Sequence, residues 1–133
     1  MEFVEWNDSY SVGNVLMDAH HQVFFGMIKE FSESPDMDDP DAMMKRIAFL
    51  AEYTAMHLDA EEKLMRQANY PDLGKHTEVH RTFSQKVQSA KEAFFKDQAS
   101  ITPDQILEMM QDWFLHHILG EDKKYLPYLK QQD

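Results

Sequence analysis

The 133 residues carry 13 Lys and Arg against 24 Asp and Glu, a formal charge of −11, together with seven His and no Cys. A chain of this length forms one domain and buries about 70% of its unfolded surface, enough to fold without covalent staples. The acidity argues against a nucleic-acid or anionic-membrane partner, and the missing cysteines exclude disulfides, zinc–thiolate sites, iron–sulfur clusters and Cys nucleophiles.

In chain order, the first residues show neither the basic nor the apolar region of a signal peptide. No later stretch approaches the ~20 apolar residues that cross a bilayer. A soluble, cytoplasmic domain is therefore expected. Residues 1–17 read as a non-helical arm, docked on the rest by Phe3, Val4 and Trp6. Four segments with apolar residues at three- and four-residue steps follow, at 18–33, 41–69, 73–97 and 103–125. The first stripe holds Met17, His21, Phe24, Ile28 and Phe31. The second, opened by Asp39 as N-cap with Pro40 behind it, holds Ile47, Leu50, Thr54, His57, Glu61 and Leu64. The third holds His76, His80, Phe83, Val87, Ala90 and Phe94. The fourth starts at a capping box, Thr102-Pro103-Asp104-Gln105, and holds Ile106, Met110, Trp113 and His117. The prolines at 35, 40, 71, 103 and 127 fall between or beyond these segments. With short connections and no strand alternation, the expected fold is all-α, an up-down antiparallel four-helix bundle over 18–125. The ten methionines read as adaptable core filler.

His21, His57, His76, His80, His117 and Glu61 occupy stripe positions where an apolar residue belongs. One inward histidine is usually a hydrogen-bonded core residue. Burying five with a carboxylate costs several kcal/mol unless a cation compensates them. His57 and Glu61, like His76 and His80, are four apart and share a helix face, about 40° apart in projection. In an up-down bundle the starts of odd helices adjoin the ends of even ones, so all five histidines meet at one end. Asp122 lies five residues beyond His117. On a regular helix it points about 140° away, as a solvated acid of the charged stretch at 121–124, unless Gly120 permits a loosened turn that swings it inward. Zinc prefers four ligands, calcium and magnesium want oxygen, and no Glu-x-x-His motif occurs, which leaves a carboxylate-bridged pair of iron or manganese ions. Imidazole favours iron. His20 and His116 sit about 100° from their ligand neighbours and read as surface or outer imidazoles.

Met-Asp18-Ala-His-His21, His57-Leu-Asp-Ala-Glu61-Glu, His76-Thr-Glu-Val-His80 and Trp113-Phe-Leu-His-His117-Ile-Leu-Gly-Glu-Asp122 closely resemble the hemerythrin family, in particular the single-domain bacteriohemerythrins, over essentially the whole chain. The resemblance implies reversible dioxygen binding by two iron ions with an oxo or hydroxo bridge, and no catalytic residue. By resemblance His76, His80 and His117 hold one iron, His21 and His57 hold the second, which keeps an open position, and Glu61 and Asp122 bridge them. Phe24, Leu58, Trp113, Phe114 and Ile118 line a dry pocket or simply pack the core. The family often has an aromatic residue where this chain has Leu58 and a smaller aliphatic where it has Phe114, an exchange of volume that bears on ligand access. An oxygen or redox sensor, or an oxidoreductase acting on peroxide or nitric oxide, would use a similar site.

Overall fold

The computed structural model describes residues 5–36, 39–97 and 101–130, with the side chains of residues 122, 126, 129 and 130 outside that description. Helices α1 (Val15–Ser32), α2 (Pro40–Gln67), α3 (Leu73–Lys96) and α4 (Pro103–His117) form the bundle, and a π-helical turn at Ile118–Asp122 joins α4 to α5 (Lys123–Lys130). Helices α1 and α3 each pack on both α2 and α4, which closes the four-membered ring. Strands are absent among the described residues. The core runs along the stripes: Phe24 and Ile28 of α1, Ile47 and Leu50 of α2, Phe83 and Phe94 of α3, and Ile106, Met110 and Phe114 of α4 are all buried. Met17 and Met43 fill gaps in it without exposure, and Met65 does the same in a second cluster with Tyr70 and Tyr125.

Two boundaries follow their chemistry as expected. Thr102 and Gln105 exchange side chain to backbone hydrogen bonds of 3.1 and 2.9 Å at the start of α4. The Asp39 side chain accepts from the Asp41 amide ahead of α2. Three others differ. Helix α1 begins at Val15, inside the expected arm, because the Asn14 side chain accepts from the Met17 amide at 3.0 Å. Val15 and Leu16 are 88% and 57% exposed, so these two residues add nothing apolar to the stripe. The arm also contains a single 3-10 turn at Asp8–Tyr10. Helix α2 stops at Gln67 because Asn69 turns left-handed, φ 57°, with the Tyr70 amide reaching the Met65 carbonyl and the Asn69 amide reaching that of Arg66. This is the paired bonding of a Schellman stop, with Asn in the place glycine usually takes. Pro127 lies inside α5 rather than beyond the helical region.

The arm is tied down at the end of the bundle where α1 starts. Asp18 accepts hydrogen bonds from the Ser11 hydroxyl and the Val12 amide. Lys123 donates to the Ser9 carbonyl at 2.7 Å, which crosses the arm over to α5. Trp6 packs edge-on against Tyr10 and lies 6.3 Å from the His21 ring. Phe3 and Val4 lie outside the described residues.

Candidate metal centre

The four helices deliver six polar side chains to one end of the bundle. Helix α1 supplies His21 near its start, α2 supplies His57 and Glu61 in its latter half, α3 supplies His76 and His80 in its first turns, and α4 supplies His117 as its last residue. None is more than 3% exposed. They form two groups that share one carboxylate, Glu61 with His76, His80 and His117, and Glu61 with His21 and His57; within each group the ligand atoms lie within 4.8 Å of one another. The two carboxylate oxygens divide between them. Oε1 of Glu61 lies 2.7 Å from His76 Nε2, 3.0 Å from His80 Nε2 and 3.4 Å from His117 Nε2. Oε2 faces the other way, 3.5 Å from His57 Nε2 and 4.0 Å from His21 Nε2.

This donor set fits a pair of cations. A neutral imidazole has one N–H, yet His117 Nε2 lies 3.0 Å from His76 Nε2 and 2.9 Å from His80 Nε2. His21 and His57 bring their Nε2 atoms to 3.1 Å. Lone pairs converging in this way satisfy one another poorly and a positive ion well. Glu61 Oε2 is buried without a hydrogen-bond donor. Nitrogens about 2.1 Å from one metal sit about 3.0 Å apart at right angles and about 3.4 Å apart at tetrahedral ones, so the spacing suits six-coordinate ions better than tetrahedral zinc.

Position 122 falls in the π turn. The i→i+5 bonding of such a turn returns residue 122 to the helix face that carries residue 117, where a regular α-helix would carry it away. Gly120 sits inside the turn. The Asp122 side chain lies outside the described residues.

Electrostatics keep the cluster ready for a cation. Burial, assisted by His57, pushes the His21 imidazole down to about 3 from 6.5, so it stays neutral. Burial alone would raise the Glu61 carboxyl, but the imidazoles packed around it, His117 first and then His57, His76 and His80, outweigh that and hold it well below the ordinary carboxylate range. A stability consequence follows for the metal-free protein. Between about pH 6.5 and 3 the unfolded chain binds a proton at His21 that the folded chain refuses, so stability is full above that window and falls as pH drops through it. Urea denaturation of the metal-free protein is expected to show about 2 kcal/mol less stability at pH 5 than at pH 7 from this group. Equal stability at the two values would contradict the burial of a neutral His21.

Aromatic rings wall the cluster. Trp113 stacks on His117 at 4.3 Å and 17°, and its ring also lies parallel to Phe83 at 3.8 Å. Phe114 packs against Phe24 at 4.0 Å and His57 at 5.6 Å. Tyr125 and Tyr70 stand edge-on to His76 at 5.7 and 6.4 Å. Neither tyrosine stood out in the sequence, because both lie in turns or helix ends where no stripe points to them. Ile118 is buried as expected, and so is Leu58, which borders an open groove of about 310 Å³ between α2 and α3 with His80 on its lining. The two remaining histidines separate. His116 is exposed and its Nδ1–H donates to the Asp112 carbonyl, whereas His20 is half-buried with its Nδ1 3.0 Å from His57 Nδ1.

The family model described as "Hemerythrin HHE cation binding domain" matches residues 12–129. A bacteriohemerythrin from Stenotrophomonas maltophilia is 26% identical over 98% of this chain and 84% of its own length. A myohemerythrin from Theromyzon tessulatum is 27% identical over 91% of this chain and 89% of its own. Among solved structures, a wild-type hemerythrin superposes with a TM-score of 0.87 at 22% identity, covering 96% of this chain and 98% of that one, and supports the shared fold.

Proposed function

The chain belongs to the hemerythrin family, and from that premise we propose that it is a dioxygen carrier or store that holds two iron ions in the buried cluster. The observation that carries the reading is the division of Glu61, with one oxygen toward three imidazoles and the other toward two. His76, His80 and His117 would hold one ion and His21 and His57 the other, with Glu61 shared between them. Asp122, one π turn beyond His117, is assigned as the second bridging carboxylate. When bound, the iron pair supplies one reversible electron per ion and an oxo or hydroxo bridge. The half that His21 and His57 would hold has one imidazole fewer, which would leave that side the room for an added ligand such as dioxygen.

The rest of the work is done by the protein frame. Neutral imidazoles offer lone pairs, so no side chain has to act as acid, base or nucleophile. Phe24, Phe114, Trp113 and Tyr125 keep bulk water away from the cluster, which limits loss of electrons to solvent-assisted oxidation. Among the described residues no helix is long and apolar enough to cross a membrane.

Absorption spectroscopy tests the reading. The protein loaded with ferrous iron under argon is expected to develop a ligand-to-iron charge-transfer band in air, lose it on sparging, and repeat the cycle. Irreversible bleaching on first exposure, or turnover of peroxide or nitric oxide well above that of free iron, would overturn the carrier assignment.

A further inference from the structure

His20 was left without a task by the ligand set, yet it makes a direct hydrogen bond to the outer nitrogen of His57. The two Nδ1 atoms lie 3.0 Å apart, with the rings 5.2 Å apart and 69° inclined. His57 turns its other nitrogen, Nε2, toward His21 Nε2 and Glu61 Oε2. A Nδ1 to Nδ1 hydrogen bond needs one donor and one acceptor. We propose that His20 is a positioning residue whose Nδ1 accepts the Nδ1–H of His57 and so holds that imidazole with its Nε2 lone pair facing the metal centre. The inference rests on the iron-binding reading above for its purpose, though not for its geometry.

The local structure explains why this residue can do it. Adjacent positions on a helix project about 100° apart, so His21 faces the cluster while His20 faces α2. His20 is held in turn by α2. The Tyr53 hydroxyl donates to the His20 carbonyl at 3.0 Å, and the Tyr53 and His20 rings meet edge-on at 6.2 Å. One turn of α1 thus supplies both a donor to the cluster and the orienter of the donor that α2 contributes. Histidine ligands generally give their second N–H to a carboxylate, a carbonyl or water. The nearest such group to His80 Nδ1 among the ion pairs is Glu62 Oε1 at 3.8 Å, beyond hydrogen-bond reach. For His57 the acceptor is an imidazole, which accepts only in the tautomer with its own proton on Nε2. The bond therefore fixes two tautomers at once.

Two substitutions separate this role from packing. His20→Phe keeps a ring beside Tyr53 and His57 but offers no acceptor; His20→Gln loses the ring but presents an amide oxygen. Iron loss from the loaded protein to a chelator is expected to speed up about 10–100-fold in His20→Phe and to stay within about threefold of the parent in His20→Gln. In the metal-free protein, imidazole ¹⁵N shifts are expected to report Nδ1–H at His57 in the parent and in His20→Gln, and a shift of population to Nε2–H in His20→Phe. Parent-like behaviour of His20→Phe in both measurements, or equal impairment of the two variants, would overturn the proposal. A parent protein that holds no iron would overturn the dioxygen reading instead, and the ¹⁵N pattern would then decide the role of His20 by itself.

Discussion

Replacing Glu61 with glutamine is expected to empty both halves of the metal centre at once, lowering retained iron from two per chain to less than one. Glu61 is fully buried and, among the described residues, is the one common to the two ligand groups. An amide has nearly the same volume, so helix content should survive the change. It has one acceptor oxygen, however, and no charge to set against two divalent ions. The histidine variants give the contrast that makes the result specific. His57→Ala touches only the group containing His21, and His117→Ala only the group containing His76 and His80. Elemental analysis after desalting distinguishes the cases. Retention of both ions by Glu61→Gln would mean that the carboxylate does not span them.

The second large effect is on folding. Phe114→Ala is expected to destabilise the protein by about 3–5 kcal/mol, the usual cost of deleting a buried phenylalanine ring. Phe114 is fully buried and meets Phe24, His57, Phe83 and Trp113, so its loss opens a cavity in the middle of the aromatic cluster that backs the site. Phe114→Leu leaves a smaller void and should cost less. Chemical denaturation of the metal-free variants measures both without interference from the metal. If the ring also keeps water from His57, Phe114→Ala loaded with ferrous iron should oxidise faster in air than Phe114→Leu. A cost below about 1 kcal/mol for Phe114→Ala would contradict the tight packing found there.

The sequence announces the architecture and the inward histidines through the same signal. Helical periodicity places Ile47, Leu50, Phe83 and Met110 in the core, and it places His57, His76 and His117 among them. Start signals built from side-chain hydrogen bonds, such as the Thr102–Gln105 box, are equally legible. What periodicity cannot show lies off the stripe. The Asn14 cap was hidden by the exposed Val15 and Leu16, and the end of α2 depended on an Asn taking a left-handed conformation that glycine more often adopts. The fourth helix reads as uninterrupted because nothing in a hydrophobic pattern marks a change from four- to five-residue bonding; Gly120 and the five-residue spacing from His117 to Asp122 were the hints of the π turn. Tyr70, Tyr125 and the His20–His57 contact arise only once the helices are packed, since each joins residues from different elements.

A carboxylate shared between two metal sites is tested most directly by an anaerobic titration of the metal-free protein with ferrous iron. Two equivalents bound per chain, with both lost in Glu61→Gln, is the predicted result. A break at one equivalent, or a single zinc ion bound in preference to iron, would contradict it.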